Sequence, residues 1–352
     1  MRFSFDEDQL LFQKTLRDFL AKECPPALLR SLWETETGRS PELWRKLAEL
    51  GVPGVLVPEA HGGLGLDEID LVLLLEETGR AACAEPVIAT AAVGAPLLVE
   101  LGESLLAERW LGRIAAGGAI LAVGHPVNPF VADAHVADLL LLARGDELHA
   151  LAPAGVALVR QPSNDPSRRI FSVAWEPRRE TRVASGARAR ELLDAALDRG
   201  ALACAAQLLG VAEALLERAA AYARERSQFG KPIGSFQAVK HLLANAKLEL
   251  EYARPVVYRA AHSVARALAS RARDVSHAKL VASEAATSAA RIALQVHGAI
   301  GYTWEQDLHL WMRRAWSLDL AFGGAPFHRA RVAELVLAEG ARLGPGTTFE
   351  GA

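Results

Sequence analysis

Few polar residues in this chain are placed where they could do chemistry. Asp198, beside Arg199, and His297, just before Gly298, each sit in an apolar stretch and could accept a proton. Asp198 reads equally well as a charge capping a helix start, and His297 as a structural histidine at a helix end. Arg226 reads as an exposed arginine closing a helix, where the dipole favours a cation. Gly298 and Gly301 permit close backbone approach and positive φ. Metal chemistry finds no support, because Cys24, Cys83 and Cys204 lie far apart with no Cys-x-x-Cys or Cys/His spacing. They read as buried thiols of a reducing compartment. Gly62-Gly63-Leu64-Gly65 follows no strand and reads as a turn, and neither a Rossmann nor a Walker loop is present.

These residues need elements to position them, and the chain divides into three zones. With 352 residues, 51% hydrophobic and 23% charged, it has the profile of a globular protein with room for two or three packed units. A net charge of −3 gives no electrostatic grip on nucleic acid. Residues 1–116 read as a helical domain. Phe5, Leu10, Phe12, Leu16 and Phe19 form an amphipathic helix ended by Cys24-Pro25-Pro26, and Ser40-Pro41 opens another. Five glycines with Pro53 and Pro58 make 51–65 a loop, and helical periodicity resumes at Glu68 and at Pro86.

Residues 117–188 read as a small β domain, from apolar runs at 120–123, 139–142, 156–159 and 170–175 bounded by turn residues. Residues 189–352 read as a helical bundle. Leu202, Ala205, Leu209, Ala212, Leu216 and Ala219 form one stripe, and a second runs from Phe236 through Leu250 to Val264. Large residues alternating with alanine let such helices interlock closely. Pro255 lies inside the second stripe and predicts a kink or a local break. A third helix is expected over 276–296. The acidic start at Asp6, Glu7 and Asp8, with no apolar run long enough to cross a bilayer, predicts a cytoplasmic protein without membrane contact.

Three motifs in the last zone resemble the acyl-CoA dehydrogenase family. Arg226-Ser227-Gln228-Phe229-Gly230-Lys231-Pro232-Ile233-Gly234 closes one helix, and Ser235-Phe236-Gln237-Ala238-Val239-Lys240-His241 opens the next. Gln295-Val296-His297-Gly298-Ala299-Ile300-Gly301-Tyr302-Thr303 follows, continuing to His309 and Arg313-Arg314. The resemblance implies a mainly α fold with an N-terminal helical domain, a small central β domain and a C-terminal four-helix bundle. It further implies FAD as cofactor, an acyl-CoA substrate desaturated at α,β, and an electron-transferring flavoprotein as acceptor. By the same resemblance, Arg226 reaches the pyrophosphate of an FAD held mainly by a neighbouring subunit, where a rigid guanidinium suits phosphate, and Gln228 and Phe229 count among the cofactor-binding residues. Phe236 and Gln237 fall near the adenosine part. Gln295, Val296, His297, Gly298 and Ala299 fall where the adenine–ribose end approaches the backbone, with Ala299 replacing the second glycine of the family's usual pair.

The family removes the α-proton with a carboxylate while the β-hydrogen leaves as hydride to the flavin. Most members carry that Glu in a Tyr-Glu-Gly-Thr loop. The matching stretch here is Phe322-Gly323-Gly324-Ala325, so Gly323 occupies the base position. Other members carry the acid on the first bundle helix, before an arginine; that pair falls on Gly200 and Ala201, leaving Asp198 as the one substitute nearby. The flavin-wrapping Thr-Glu-Pro stretch matches Gly124-His125-Pro126 and Val127-Asn128-Pro129, keeping only the Pro, and the family's Trp-bearing strand motif is not evident. The chain thus resembles the smaller, base-less subunits of heterotetrameric acyl-CoA dehydrogenases of bacterial sterol side-chain degradation, which implies a homologous catalytic partner. The alternatives are a self-sufficient dehydrogenase using Asp198, a non-catalytic scaffold of the same fold, and a member turned to oxygen activation.

Overall fold

The computed structural model describes residues 4–102, 105–341, 343 and 344, so the end of the expected bundle zone, 345–352, lies outside the described residues. Helix α1 (Glu7–Glu23) opens on a capping box in which Asp6 and Gln9 satisfy each other's backbone N–H groups. It stops before the proline pair, and α2 (Pro26–Trp33) begins with Pro26 at its first position, where no N–H is needed. Ser40 caps α3 (Pro41–Glu49) through its hydroxyl. After the glycine-rich loop come α4 (Glu68–Arg80), α5 (Ala95–Glu100), entered through a π-helical turn at Ile88–Gly94, and α6 (Leu105–Ala115).

Seven short strands follow: β1 (Leu121–Gly124), β2 (Val131–Ala132), β3 (Leu139–Arg144), β4 (Glu147–Leu151), β5 (Ala157–Gln161), β6 (Ile170–Ala174) and β7 (Arg182–Ser185). They form a four-stranded sheet, β1-β3-β4-β7, and a three-stranded sheet, β2-β6-β5. Leu140, Leu142 and Phe171 help fill a small core between the sheets. The apolar runs locate β1, β3, β5 and β6. The sequence reading passes over β4, whose Glu147 and His149 interrupt the apolar pattern, and over β2 and β7, which are too short to carry one.

The C-terminal part is built on α7 (Gly186–Glu225), packed against α8 (Gln237–Ala265), α9 (Arg271–His297) and α10 (Leu308–Leu320), with α11 (Ala325–Leu337) against α9. All six residues of the α7 stripe are buried. By length and composition α7 is apolar enough to cross a membrane, but 89% of its most apolar window is buried inside the fold, as suits a core helix. Helix α8 runs unbroken through Pro255, which lies on its exposed face. The expected break is therefore absent, because on that side a lost backbone bond is met by water.

Two contacts fix how these parts sit together. Helices α4 and α7 cross at Gly79 and Gly210, where a Cβ on either would collide with the other helix's backbone. The segment before β6 is tied to the first helices by Arg169, whose Nη2 donates to the carbonyls of Trp33 (3.1 Å) and Thr35 (2.7 Å). Trp33 Nε1 reinforces this by donating to Ser167 Oγ at 2.6 Å.

Candidate active site

Positions far apart in sequence converge where α7 passes the end of α10. The ring of Phe322, just after α10, lies over Gly200 so closely that any Cβ there would overlap it. Phe322 N–H donates to Asn128 Oδ1 at 2.8 Å, joining this loop to the one after β1. Phe322 and Gly323 both take positive φ, 53° and 94°. Added at Gly323, a Cβ would stand 2.5 Å from the Phe327 ring and 2.9 Å from His328 Nε2. The two positions to which the resemblance assigns the carboxylate, Gly200 and Gly323, thus both lie against Phe322 or its neighbours, and this chain's own side chains close both.

The surrounding groups hold the loop rather than leave a reactive atom free. His328 is fully buried, with Nδ1 3.1 Å from Ser276 Oγ and Nε2 donating to the Phe322 carbonyl at 2.9 Å. Burial, with Lys279 nearby, pushes its pKa down to about 4, so the imidazole is neutral. Buried Lys279 donates to the carbonyls of Asp319 (2.7 Å) and Gly323 (3.4 Å), and desolvation lowers its pKa. His125, in the loop after β1, is likewise pushed down to about 4 by burial.

Asp198 is not at a helix start, because α7 begins at Gly186; the capping reading is corrected accordingly. Its side chain is buried in mid-helix, with Oδ2 accepting from Arg271 Nε and Oδ1 from Arg331 Nη1, both at 2.7 Å. Two guanidiniums engage the two oxygens and commit the carboxylate to a buried ion-pair cluster, which argues against Asp198 as the substitute base. Neighbouring Arg199 instead pairs with Glu68 and Glu100.

The other predicted residues gather at the opposite end of α7. Arg226 is its C-terminal cap and has no acidic partner among the described residues. Next, Ser227–Gln228 and Lys231–Pro232 form a small hairpin whose tip is Phe229 (φ 55°) and Gly230 (φ 76°). The Phe229 ring is 91% exposed and meets Phe236 edge-on at 6.1 Å. Lys231 Nζ lies 4.5 Å from the Phe236 ring, and Gln237, also exposed, opens α8. The end of α9 is brought alongside by His297, stacked on Tyr222 at 4.4 Å, with Nδ1 2.7 Å from the Ala293 carbonyl. His297 and Val296 point inward, whereas Gln295, Gly298 and Ala299 face solvent. Gly298 caps α9 at φ 63°, the conformation only a glycine adopts readily.

Sequence reasoning missed one group near the closed site. Glu85, on the turn after α4, is a buried carboxyl beside a cavity that also reaches Phe322. Its one sequence signal is a lone acid in the apolar run Ala81-Ala82-Cys83-Ala84-Glu85-Pro86.

Comparison with known proteins agrees with this architecture. The family profile "Acyl-CoA dehydrogenase, C-terminal domain" matches residues 190–337, and "Acyl-CoA dehydrogenase, N-terminal domain" matches 6–118. The acyl-CoA dehydrogenase IpdE2 of Mycobacterium tuberculosis is 32% identical over 88% of this chain and 91% of its own. Among solved structures, the ChsE4–ChsE5 complex from Mycobacterium tuberculosis matches with a TM-score of 0.87 at 26% identity, over 96% of this chain and 99% of the matched one. A Tcur3481–Tcur3483 steroid ACAD variant matches with a TM-score of 0.84 at 27% identity, over 95% and 99%. The mainly α fold with its small β region, the helical bundle and the profile matches at both ends identify this chain as a member of the acyl-CoA dehydrogenase family, oxidoreductases that use FAD.

Proposed function

We propose that this chain is the base-less subunit of a heteromeric acyl-CoA dehydrogenase, lending FAD-binding residues to a site whose carboxylate comes from a homologous catalytic partner. The observation that carries this reading is the contrast between the middle of α7 and its C-terminal end. Beside Gly200, mid-helix, Phe322, Phe327 and His328 fill both positions that the resemblance assigns to the base. At the C-terminal end, Arg226, with no acidic partner among the described residues, stands beside a bare Phe229 ring on a hairpin. A free guanidinium next to exposed aromatic rings fits a group carrying a pyrophosphate and an adenine.

Arg226, Gln228 and Phe229 would hold the pyrophosphate region. Phe236, Gln237 and the solvent-facing backbone at Gln295, Gly298 and Ala299 would hold the adenosine end, while Val296 and His297 set that backbone from inside. When bound, FAD supplies the acceptor for the substrate's β-hydride. This chain's part is binding and orientation. The similarity to a two-chain complex and to a steroid enzyme supports a heteromer acting on bulky, sterol-derived acyl-CoA esters; a tetramer and an electron-transferring flavoprotein as acceptor follow from the family resemblance.

The test is the flavin absorbance of the purified chain, alone and co-expressed with a homologous dehydrogenase chain. Flavin only in the pair, at about one FAD per two chains, is the expected result. A full flavin complement in the chain alone overturns the shared site.

A further inference from the structure

The loop that joins β5 to β6 carries an arginine-lined pocket that neither the closed base positions nor the Arg226 hairpin uses. Its volume is about 410 Å³, enough for a small organic ligand. Arg160, Arg168 and Arg169 line it together with Gln161, Ser163 and two prolines, and no acidic residue does. Pro162 and Pro166 fix φ at two places in the loop. Asp165 folds what lies between them. Its N–H donates to Ser163 Oγ at 3.2 Å, and its Oδ1 accepts from the Ser167 N–H at 2.9 Å. The loop is also held from outside, by Trp33 at Ser167 and by Arg313 Nη1, which donates to the Asn164 carbonyl at 3.2 Å.

The charges around this loop do not cancel. The two carboxylates near Arg168 are committed elsewhere, Asp165 to Arg314 and Asp133 to Arg39. None of the three lining arginines therefore has an ion-pair partner among the described residues. Arg169 is only 3% exposed. Its Nη2 donates to the carbonyls of Leu32, Trp33 and Thr35, and its Nε is packed against Gly38, which leaves Nη1 without a partner. Half-buried Arg168 donates through Nη1 to the Ser317 carbonyl at 3.0 Å. Exposed Arg160 comes from β5, whose register sets Arg160 opposite Phe171 and Gln161 opposite Ile170, so it stands beside the start of β6. A guanidinium stays charged at any working pH. Three of them around one pocket, one fully and one partly withdrawn from water, are costly without an opposite charge. Water solvates such groups but carries no charge to set against their repulsion, whereas an anion does.

We propose that this pocket binds a phosphate group, either the free ion or the monoester of a small polar alcohol, held by Arg160, Arg168 and Arg169. A phosphate dianion offsets most of the excess charge, and its three terminal oxygens give each guanidinium its own acceptor. A carboxylate has one charge and two oxygens and would leave the pocket strongly positive. The rest of the lining, with Gln161 and the Ser163 hydroxyl, offers polar groups to a sugar but no aromatic ring to a base. Only Arg168 also borders the cavity behind Phe322, and no residue is shared with the Arg226 hairpin. The site therefore stands or falls separately from the shared-flavin reading.

Calorimetric titration of the purified chain with inorganic phosphate, ribose 5-phosphate and ribose, in chloride buffers of constant ionic strength, tests it. Both phosphates should bind at one site per chain, and ribose should not bind. Arg160→Gln, at an exposed position, should weaken phosphate binding about tenfold to a hundredfold while the melting temperature without ligand stays at the wild-type value. Arg178→Gln removes the same charge from the exposed loop before β7, and Arg226→Ala removes it from the hairpin; both should keep the wild-type affinity. Ribose 5-phosphate binding far more tightly than inorganic phosphate would identify an ester as the ligand, and equal affinities the free ion. The proposal is overturned if neither phosphate binds at millimolar concentration, if ribose binds as well as ribose 5-phosphate, or if Arg160→Gln weakens binding no more than Arg178→Gln does.

Discussion

Asp198, the carboxylate nearest to Gly200 in sequence, shows how a residue that looks catalytic in sequence can be structural. Removing one partner of a buried ion pair costs about 3–5 kcal/mol, and partly exposed Arg271 and Arg331 place this case at the lower end. Asp198→Asn should therefore lower stability by about 3 kcal/mol in chemical denaturation while leaving turnover per bound flavin in the assembled enzyme unchanged; a selective loss of turnover would return Asp198 to the chemistry. Restoring a glutamate in the family's loop should also fail. Gly323→Glu forces a positive φ that costs about 1–3 kcal/mol and drives Cβ against His328, so a melting temperature below wild type and no turnover are expected. Three buried groups make opposed contributions to the acid response. His125 and His328, near 4 in the fold and 6.5 unfolded, contribute stability that is full above pH 6.5 and lost as pH falls toward 4, at about 1.4 kcal/mol per unit each. Glu85, raised from 4.5 to about 7, acts oppositely and favours the fold as pH falls through that window. Of these three, one histidine's worth of slope, about 1.4 kcal/mol per unit, remains between pH 6.5 and 4.5. Denaturation at a series of pH values should show His328→Asn flatter than wild type by that amount, whatever its overall stability; an unchanged slope would mean His328 is not held neutral.

Among the elements, the crossing of α4 and α7 has the widest consequences. Gly79 and Gly210 let two backbones touch, which swings the turn after α4 over α7 and puts Glu85 and Gln207 beside one cavity. Overpacking such a contact costs about 1–3 kcal/mol and at times more. Gly210→Ala should sit at the upper end, because the obstacle is backbone at Glu76 and Arg80 rather than a movable side chain. Thermal unfolding checks this, and a loss below about 0.5 kcal/mol would mean the helices separate easily. The stripe at Leu202, Ala205, Leu209 and Ala212 is legible in sequence because helical period and burial coincide. The crossing is not, since an isolated glycine in a helix says nothing about what lies across from it. Pro255 misleads for a related reason, as its effect depends on whether it faces core or water. The sequence reads Arg226 as an exposed arginine at a helix end, whereas the hairpin that follows it is new. The filling of Gly200 by Phe322 depends on a positive φ at a phenylalanine, which no spacing rule anticipates.

At the scale of the whole molecule, the exposed residues around Arg226 fit the proposal that a partner's cofactor covers them. A ring that is 91% exposed at a hairpin tip contributes nothing to this chain's own core. The Tyr222–His297 stack nevertheless joins the ends of α7 and α9, 4.4 Å between ring centroids. Such an arrangement presents both segments on one surface that could meet a partner's ligand. Because Arg226 has no acidic partner to strand, Arg226→Ala should leave the isolated chain as stable as wild type, within about 0.5 kcal/mol. In the assembled pair the same change removes a charge-assisted contact worth about 1.5–3 kcal/mol, so FAD affinity should fall by roughly tenfold to a hundredfold. Fluorescence titration of the flavin-stripped complex measures that directly, with size exclusion confirming that the two chains stay together. Arg226→Lys should recover only part of the loss, because an ammonium cannot engage two phosphate oxygens as a planar fork does. Unchanged FAD affinity in Arg226→Ala would mean that the hairpin serves assembly alone, and the scaffold reading of this chain would take the place of the shared flavin site.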